Sequence, residues 1–369
     1  MVERAMVTNR ARLLYIRSRE YVMKCGFLLL CIFNSWHKTS QVRTMMRAAQ
    51  YGDADATNLS VGDAPVPVLR TGEVLLKVHA TAINRADTLQ RKGLYPPPLG
   101  ESGILGLEAA GVIEEIGSGC SGKWSVGDRV MTLLSGKWGG NAEFVAAHED
   151  LLIAVPKSME FTKAAAIPET WLTAFQLLHT IGNVQKGDFV LIHAGGSGVG
   201  TAAVQLSKLA GAKPIVTAGS DSKIKMAISL GAVAGYNYKE VQFAEKVLEY
   251  TQGHGADLIL DCIGGSFYDN NINSVAVEGK WIIYGLLGGG TVSGDLFAKL
   301  LRKRVSLIGT TIRARTVAYK ADIMREFSTA VTPHFLNGNL RPIIDSVCHF
   351  ISYRTHTLGW KRMRTLGKS

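Results

Sequence analysis

The segment DFVLIHAGGSGVGTAAVQLSKLAG, residues 188–211, restricts the folds open to this chain more than any other stretch. An apolar run with the character of a strand enters Gly195, Gly196, Ser197, Gly198, Val199 and Gly200, and a helix is expected to follow with Val199, Ala203, Leu206 and Leu209 on its inner face. Glycine has a reason at such a junction. A side chain there would block the tight turn, the close approach of backbone to a diphosphate, and the packing of helix on strand. Free N–H groups and the positive end of the helix dipole then hold the phosphates. A glycine loop alone is weak evidence in a chain with 40 glycines. Its setting strengthens it, because short apolar strands alternate with helical stretches downstream, at PIVTA (214–218), ADLILDC (256–262), KWIIYG (280–285) and VSLIG (305–309). This alternation predicts an α/β fold with a parallel, doubly wound sheet that binds a dinucleotide.

The end of the second strand discriminates between dinucleotides, since an acid there serves a ribose hydroxyl while small residues and cations suit a 2′-phosphate. Here Thr217, Ala218, Gly219 and Ser220 precede Lys223. Ser220 can donate to a phosphate, Lys223 can neutralise it, and Tyr238 can close the pocket, which favours NADPH. Asp221 argues for NADH but lies slightly late for the ribose-binding acid. A solvated helix lysine is the plainer reading of Lys223.

Upstream the pattern differs. EVLLKVHA (73–80) alternates as a half-buried strand does, and AGVIEEIG (110–117), GDRVMTLL (127–134) and AEFVAA (142–147) follow with Gly and Asp between them. Many short strands with turn signals predict a barrel-like β domain over roughly residues 46–165. AAAIPETWLTAFQLLH (164–179) then carries helical spacing.

The net charge of +11 would suit nucleic acid if it lay on the folded body, but it lies at the ends. Residues 1–45 hold eight Arg or Lys against Glu3 and Glu20, residues 347–369 hold five cations and no acid, and the stretch between them is neutral. A nucleic-acid partner is therefore not expected. Five scattered cysteines, Cys25, Cys31, Cys120, Cys262 and Cys348, form no C-x-x-C pair, which points to a reducing compartment and away from a disulfide framework or a structural zinc lobe. The apolar run CGFLLLCIF (25–33) is too short for a bilayer, which needs about 20 residues. Residues 1–45 read either as a mitochondrial transit or signal-like segment, or as an extension before a cytoplasmic enzyme that starts near Met46.

AINRAD (82–87), GLYPPP (93–98), GLEAAG (106–111), GDRV (127–130), AAAIPETWLTAF (164–175), HAGGSGVG (193–200) and DCIGG (261–265) together resemble the zeta-crystallin-like quinone oxidoreductases of the medium-chain dehydrogenase superfamily, over about residues 46–346. The resemblance implies a groES-like catalytic domain over 46–167, a Rossmann domain over 168–312, a return of 313–369 to the catalytic domain, NADPH in the cleft, and a homodimer. It places Asn84 beside the nicotinamide and the substrate oxygen, and Tyr95 along the substrate pocket. Ser197, Gly198, Val199 and Gly200 take the diphosphate, with Ser220, Lys223 and Tyr238 at the 2′-phosphate. Thr173 flanks the nicotinamide, and Cys262, Ile263, Tyr284, Gly285 and Leu286 run along the ribose and nicotinamide through strand-end backbone groups.

Zinc alcohol dehydrogenases take a histidine ligand from a G-H-E segment, which here reads Gly106, Leu107, Glu108. Leu107 cannot ligate, so no metal is expected. Without a Lewis acid the acceptor must already be electrophilic, as a quinone or an enone is, and Asn84 and Tyr95 would hold the charge that develops on its oxygen. Plainer roles exist for each residue: Asn84 capping a turn, Tyr95 packing a proline-rich loop, Asp87 and His193 as structural groups, Cys262 as a small buried residue. From Ser346 the chain leaves the family's closing pattern and gives a basic tail, either an altered terminus or a partner-binding segment. A cofactor-binding sensor, structural or nucleic-acid-binding protein with little turnover is the competing functional class.

Overall fold

Two larger sheets and a two-stranded pair organise the described residues, and most strands of the larger sheets form where the pattern of apolar residues predicts. The computed structural model describes residues 44–51, 59–97, 103–135 and 139–350. The targeting reading of residues 1–45 and most of the basic tail thus fall outside the described residues.

The first part holds a two-stranded pair, β1 (Met45–Tyr51) with β2 (Leu59–Pro65), and a five-stranded antiparallel sheet. That sheet comprises β3 (Glu73–Ala80), β4 (Glu108–Ile116), β5 (Arg129–Leu133), β6 (Phe144–His148) and β7 (Leu152–Ala154), in the order β6-β3-β4-β5-β7. EVLLKVHA is β3 residue for residue. The N-terminal half of β4 is buried throughout rather than on alternate residues. A short helix, Arg85–Arg91, follows β3 and did not stand out in the sequence.

The second part is a six-stranded parallel sheet of β8 (Phe189–Ile192), β9 (Lys213–Ala218), β10 (Ala234–Asn237), β11 (Ala256–Asp261), β12 (Val275–Ile283) and β13 (Ser306–Gly309). Its order is β10-β9-β8-β11-β12-β13. The chain reverses direction across the sheet between β8 and β11, so the loops leaving those two strands border a crevice at the strand ends, the position at which doubly wound sheets bind ligands. Five of the six strands lie where the sequence indicates. β10, with sequence AGYN, has no apolar run and none of its residues is fully buried, so no periodicity announces it.

The expected helix 164–179 is broken. Phe161–Ala164 forms one turn, Pro168 restarts the chain as the first residue of Pro168–Phe175, and Gln176–Ile181 continues as a π-type turn. Proline suits that first position, where its missing N–H has no helical partner to lose. The helix Pro168–Phe175 packs on Gly198–Leu209, and one apolar core runs from Met131 and Ile153 of the first sheet through Trp171 and Phe175 to Ile192, Leu260 and Ile282 of the second. Trp171 is 2% exposed, and truncation of such a ring costs about 3–5 kcal/mol. Because Gly198–Leu209 is covered by the sheet and by that helix, Ala202 and Val204 are buried as well as Ala203 and Leu206. Leu209, expected inside, is 40% exposed at the helix end.

After β13 the chain turns back. The helix Val317–Ala330 buries Lys320, Ile323, Met324 and Phe327 and packs against Glu149–Leu151, β7 and Pro168–Phe175. Gln205 fastens the return further, accepting from Arg341 N at 3.1 Å and donating to Arg341 O at 3.0 Å. No helix among the described residues is long and apolar enough to cross a membrane.

Candidate active site

β8 delivers His193 and Ala194 into the glycine loop. Ala194 takes a left-handed conformation (φ 51°), which turns the chain out of the strand. A Cβ on Gly195 would sit 2.6 Å from Val216 Cβ, and one on Gly200 would run into the carbonyl oxygen of Ala194. Both glycines therefore let helix and strands approach. Ser197 caps the helix, its Oγ accepting from Gly200 N at 3.0 Å. That bond occupies one of the N–H groups expected to face a diphosphate. Gly198 and Val199, the first two helical residues, have no carbonyl one turn earlier, so their N–H groups remain for an anion.

The residues expected around a 2′-phosphate lie on the glycine loop and around the end of β9. The aliphatic stem of Lys223 lies against Gly196, with Cγ 2.8 Å from where a Cβ would stand, and the hydroxyl of Tyr238 lies 2.9 Å from the equivalent point on Gly219. Ser220 precedes the helix Asp221–Leu230 and bonds Ser222 Oγ at 3.1 Å. Burial, and after it the positive charge of Lys239, push the Lys223 amine below its usual range. Lys239 was not singled out by the sequence, since it sits among exposed turn residues after the unannounced β10.

The ends of β11 and β12 are joined through backbone. Leu287 N donates to Cys262 O at 3.0 Å and Gly288 N to Ile263 O at 2.7 Å, while Gly285 approaches Cys262 so closely that a Cβ would lie 3.3 Å from Cys262 Cβ. Those carbonyls already carry one internal hydrogen bond each. Leu286 is 58% exposed at the lip. Burial pushes the Cys262 thiol up to about 11, which makes it an inert small residue rather than a thiolate, and burial likewise raises the Tyr284 hydroxyl. His193 is a fully satisfied core group, its ring nitrogens 2.8 Å from Thr217 Oγ1 and 2.7 Å from Asn271 Oδ1.

The substrate-side residues rest on a cluster of buried charges. Asn84 occupies the N-cap position of Arg85–Arg91, where its backbone N–H is held by Asp87, while its side chain reaches away from the helix. Its Nδ2 donates to Glu108 Oε1 at 2.7 Å. Asp87 accepts from Asn84 N at 2.7 Å and from Gly106 N at 2.9 Å, the structural role expected of it. Glu108 also accepts from Glu169 N at 2.8 Å. Burial pushes Glu108 up to about 8 and Asp87 up to about 6, with their own hydrogen bonds opposing the shift. Withdrawal from water also raises Glu169, to about 7, against the pull of Lys320 and Arg313. Lys320, fully buried, donates to Arg313 O at 2.7 Å. Arg313 lies over the ring of Tyr95, and its charge opposes the rise of Asp87. Thr173 is buried on Pro168–Phe175, and Thr170 of that helix touches Gly198. Glu169, Arg313 and Lys320 carried no signal in the sequence: an acid in a first helical turn and cations near a helix are ordinary surface patterns.

Loop, helix start, paired lysines and close-packed strand ends fit an extended dinucleotide. Among the described residues no group of three or more His, Cys, Asp or Glu is disposed to hold a metal ion.

Known proteins resemble this chain over both of its larger sheets. Residues 70–157 match the alcohol dehydrogenase GroES-like domain family, and residues 198–328 match the family described as zinc-binding dehydrogenase. The quinone oxidoreductase of Homo sapiens is 29% identical over 301 residues, covering 82% of this chain and 88% of its own. The crystal structure of the Pseudomonas syringae pv. Tomato DC3000 quinone oxidoreductase superposes with a TM-score of 0.75 at 29% identity, covering 88% of this chain and 98% of that one. The CurK enoyl reductase gives a TM-score of 0.75 at 27% identity over the same shares. The two family models, met in chain order on two sheets of the matching kinds, identify the chain as a member of the medium-chain dehydrogenase/reductase family, an oxidoreductase that uses a nicotinamide cofactor.

Proposed function

We propose that this protein is a zinc-independent, NADPH-dependent reductase of quinones or related conjugated carbonyls. The observation that supports this most is the clamp of Asn84 on Glu108 at 2.7 Å, which leaves one amide N–H for a substrate oxygen in a pocket where Leu107 replaces a ligating histidine. When bound, the nicotinamide supplies a hydride, and one solvent proton completes the balance from quinone to hydroquinone. Asn84 and Tyr95 hold the acceptor oxygen as charge collects on it. Ser197 and the N–H groups of Gly198 and Val199 hold the diphosphate, with Gly200 keeping the helix close, and Ser220, Lys223, Lys239 and Tyr238 select the 2′-phosphate. Thr173, Cys262, Ile263, Tyr284, Gly285 and Leu286 border the nicotinamide and ribose and keep water from them.

The same reading assigns 46–167 and 313–369 to the catalytic domain and 168–312 to the cofactor domain. It also includes a homodimer in a reducing, cytoplasmic setting. Support for the dimer comes from β13, an edge strand, beside a helix, Leu296–Lys303, whose Phe297 and Leu301 are 85% and 80% exposed. Light scattering on wild type and Phe297→Glu tests it.

NADPH consumption with an ortho- or para-quinone, on wild type and Asn84→Ala and with and without a chelator, tests the reductase reading. Turnover is expected in wild type, indifferent to chelator, and much reduced in the variant. If NADPH binds and no quinone accelerates its oxidation, the reading fails.

A further inference from the structure

We propose that Glu108 is a positioning residue for the reduction, fixing the Asn84 carboxamide in register with the glycine loop. The inference rests on the reading that Asn84 meets the substrate oxygen.

Glu108 opens β4 and is fully buried. Each carboxyl oxygen takes a different donor: Oε1 the Nδ2 of Asn84 at 2.7 Å, Oε2 the N–H of Glu169 at 2.8 Å. The second bond has a local cause. Helix Pro168–Phe175 begins after Ile167, which offers no side chain to its first-turn N–H groups, and Pro168 has none to give. Glu108 supplies the missing cap from another sheet. One turn of that helix also carries Thr170, whose Cγ2 lies 2.7 Å from the point where a Cβ on Gly198 would stand. A chain of contacts therefore runs from Asn84 through Glu108 and the helix to Gly198, the first helical residue after the glycine loop.

The chemistry of an amide explains why such a path matters. A planar carboxamide has two N–H groups and one oxygen, and rotation about its last torsion exchanges donor for acceptor. With one N–H held by Glu108, the plane is set and the second N–H points in a fixed direction. Asp87 fixes the same residue's backbone through Asn84 N at 2.7 Å, so backbone and side chain are held separately. A misplacement of about 1 Å at such a group can cost on the order of a hundredfold in rate.

The test uses the full chain and two readouts. Glu108→Gln keeps shape but turns an amide NH₂ toward one of two donors, so one bond must break. The Asn84 side-chain amide resonance of the ligand-free protein, identified by its loss in Asn84→Ala, is expected to move in Glu108→Gln. With quinone and NADPH, kcat is expected to fall by roughly 10- to 100-fold while the KM for NADPH changes less than about threefold. In an Asn84→Ala background the same substitution should add almost no further loss, because Glu108 acts through Asn84. Should Glu108→Gln not fold, Glu108→Asp, one methylene short of Asn84, takes its place in each arm. An unmoved resonance, an unchanged kcat, or an equal loss in both backgrounds overturns the proposal. A wild-type protein that binds NADPH without reducing any quinone defeats the reductase reading, while the resonance still decides whether the clamp exists.

Discussion

Arg313 lies over the ring of Tyr95, its guanidinium carbon 5.3 Å from the ring centroid. The contact joins the segment after β13 to the loop after Arg85–Arg91, and the same side chain, 8% exposed, faces Asp87 and Glu169. Arg313→Lys keeps the charge and loses the stacking plane, so the quinone KM should rise several-fold, equivalent to about 1 kcal/mol, with little loss of stability. Arg313→Leu removes the cation that opposes Asp87 and one of the two that oppose Glu169, and should cost about 3–5 kcal/mol. Steady-state kinetics and thermal melts on the two variants check this; equal behaviour of the two would refute it.

Lys223 stands against Gly196 with Lys239 close enough to depress its amine. Two neighbouring cations suit a dianionic phosphate. Lys223→Ala should raise the KM for NADPH by roughly 5- to 150-fold, equivalent to about 1–3 kcal/mol, and leave that for NADH nearly unchanged. Equal effects on both cofactors would remove Lys223 from the 2′-phosphate site.

Gly200 and Gly198 differ in what surrounds them. A Cβ on Gly200 would press on the backbone of Ala194 and Gly195, whereas one on Gly198 meets only the methyl of Thr170. Gly200→Ala should therefore cost about 1–3 kcal/mol and most nucleotide affinity, and Gly198→Ala clearly less. Calorimetric titration with NADPH distinguishes the two.

Much of this site is legible in the sequence, and the limit is physical. HAGGSGVG announces itself because glycine spacing, a strand before and a helix after all follow from local sterics. Asn84 and Tyr95 stand out through the resemblance and Lys223 through its place after the second strand; Asn84 is held by Glu108, Tyr95 lies under Arg313, and Lys223 lies against Gly196. Glu108, Glu169 and the pair Arg313 and Lys320 come from three separate segments, and their meeting depends on how the helix Pro168–Phe175 lies between two sheets. Local pattern carries no record of that. β10 escaped for a different reason, since AGYN lacks both an apolar run and a buried face. Leu209 was placed inside by periodicity alone, and the helix end leaves it 40% exposed.

The buried acids set the pH dependence of stability. Glu108 titrates at about 8 in the fold against an ordinary value of 4.5, and Asp87 at about 6 against 3.8. Each is protonated in the folded chain where the unfolded chain has already lost its proton, so unfolding releases protons between those values. Their contribution to stability is therefore fully present below pH 4 and is lost as pH rises through about 6 for Asp87 and then 8 for Glu108. The melting temperature should fall from pH 5 to pH 8.5 more steeply in wild type than in Glu108→Gln, which cannot titrate. Parallel curves would mean that Glu108 does not carry the proton.

On the proposed reading, backbone around Ser197 to Gly200 holds the diphosphate of NADPH while its hydride passes to a quinone. Titration calorimetry of the purified protein with NADPH and with NADH tests it most directly. One site per chain, at least tenfold tighter for NADPH and abolished in Gly200→Ala, is the result expected. Heat from neither nucleotide, or equal affinity that survives Gly200→Ala, would contradict it.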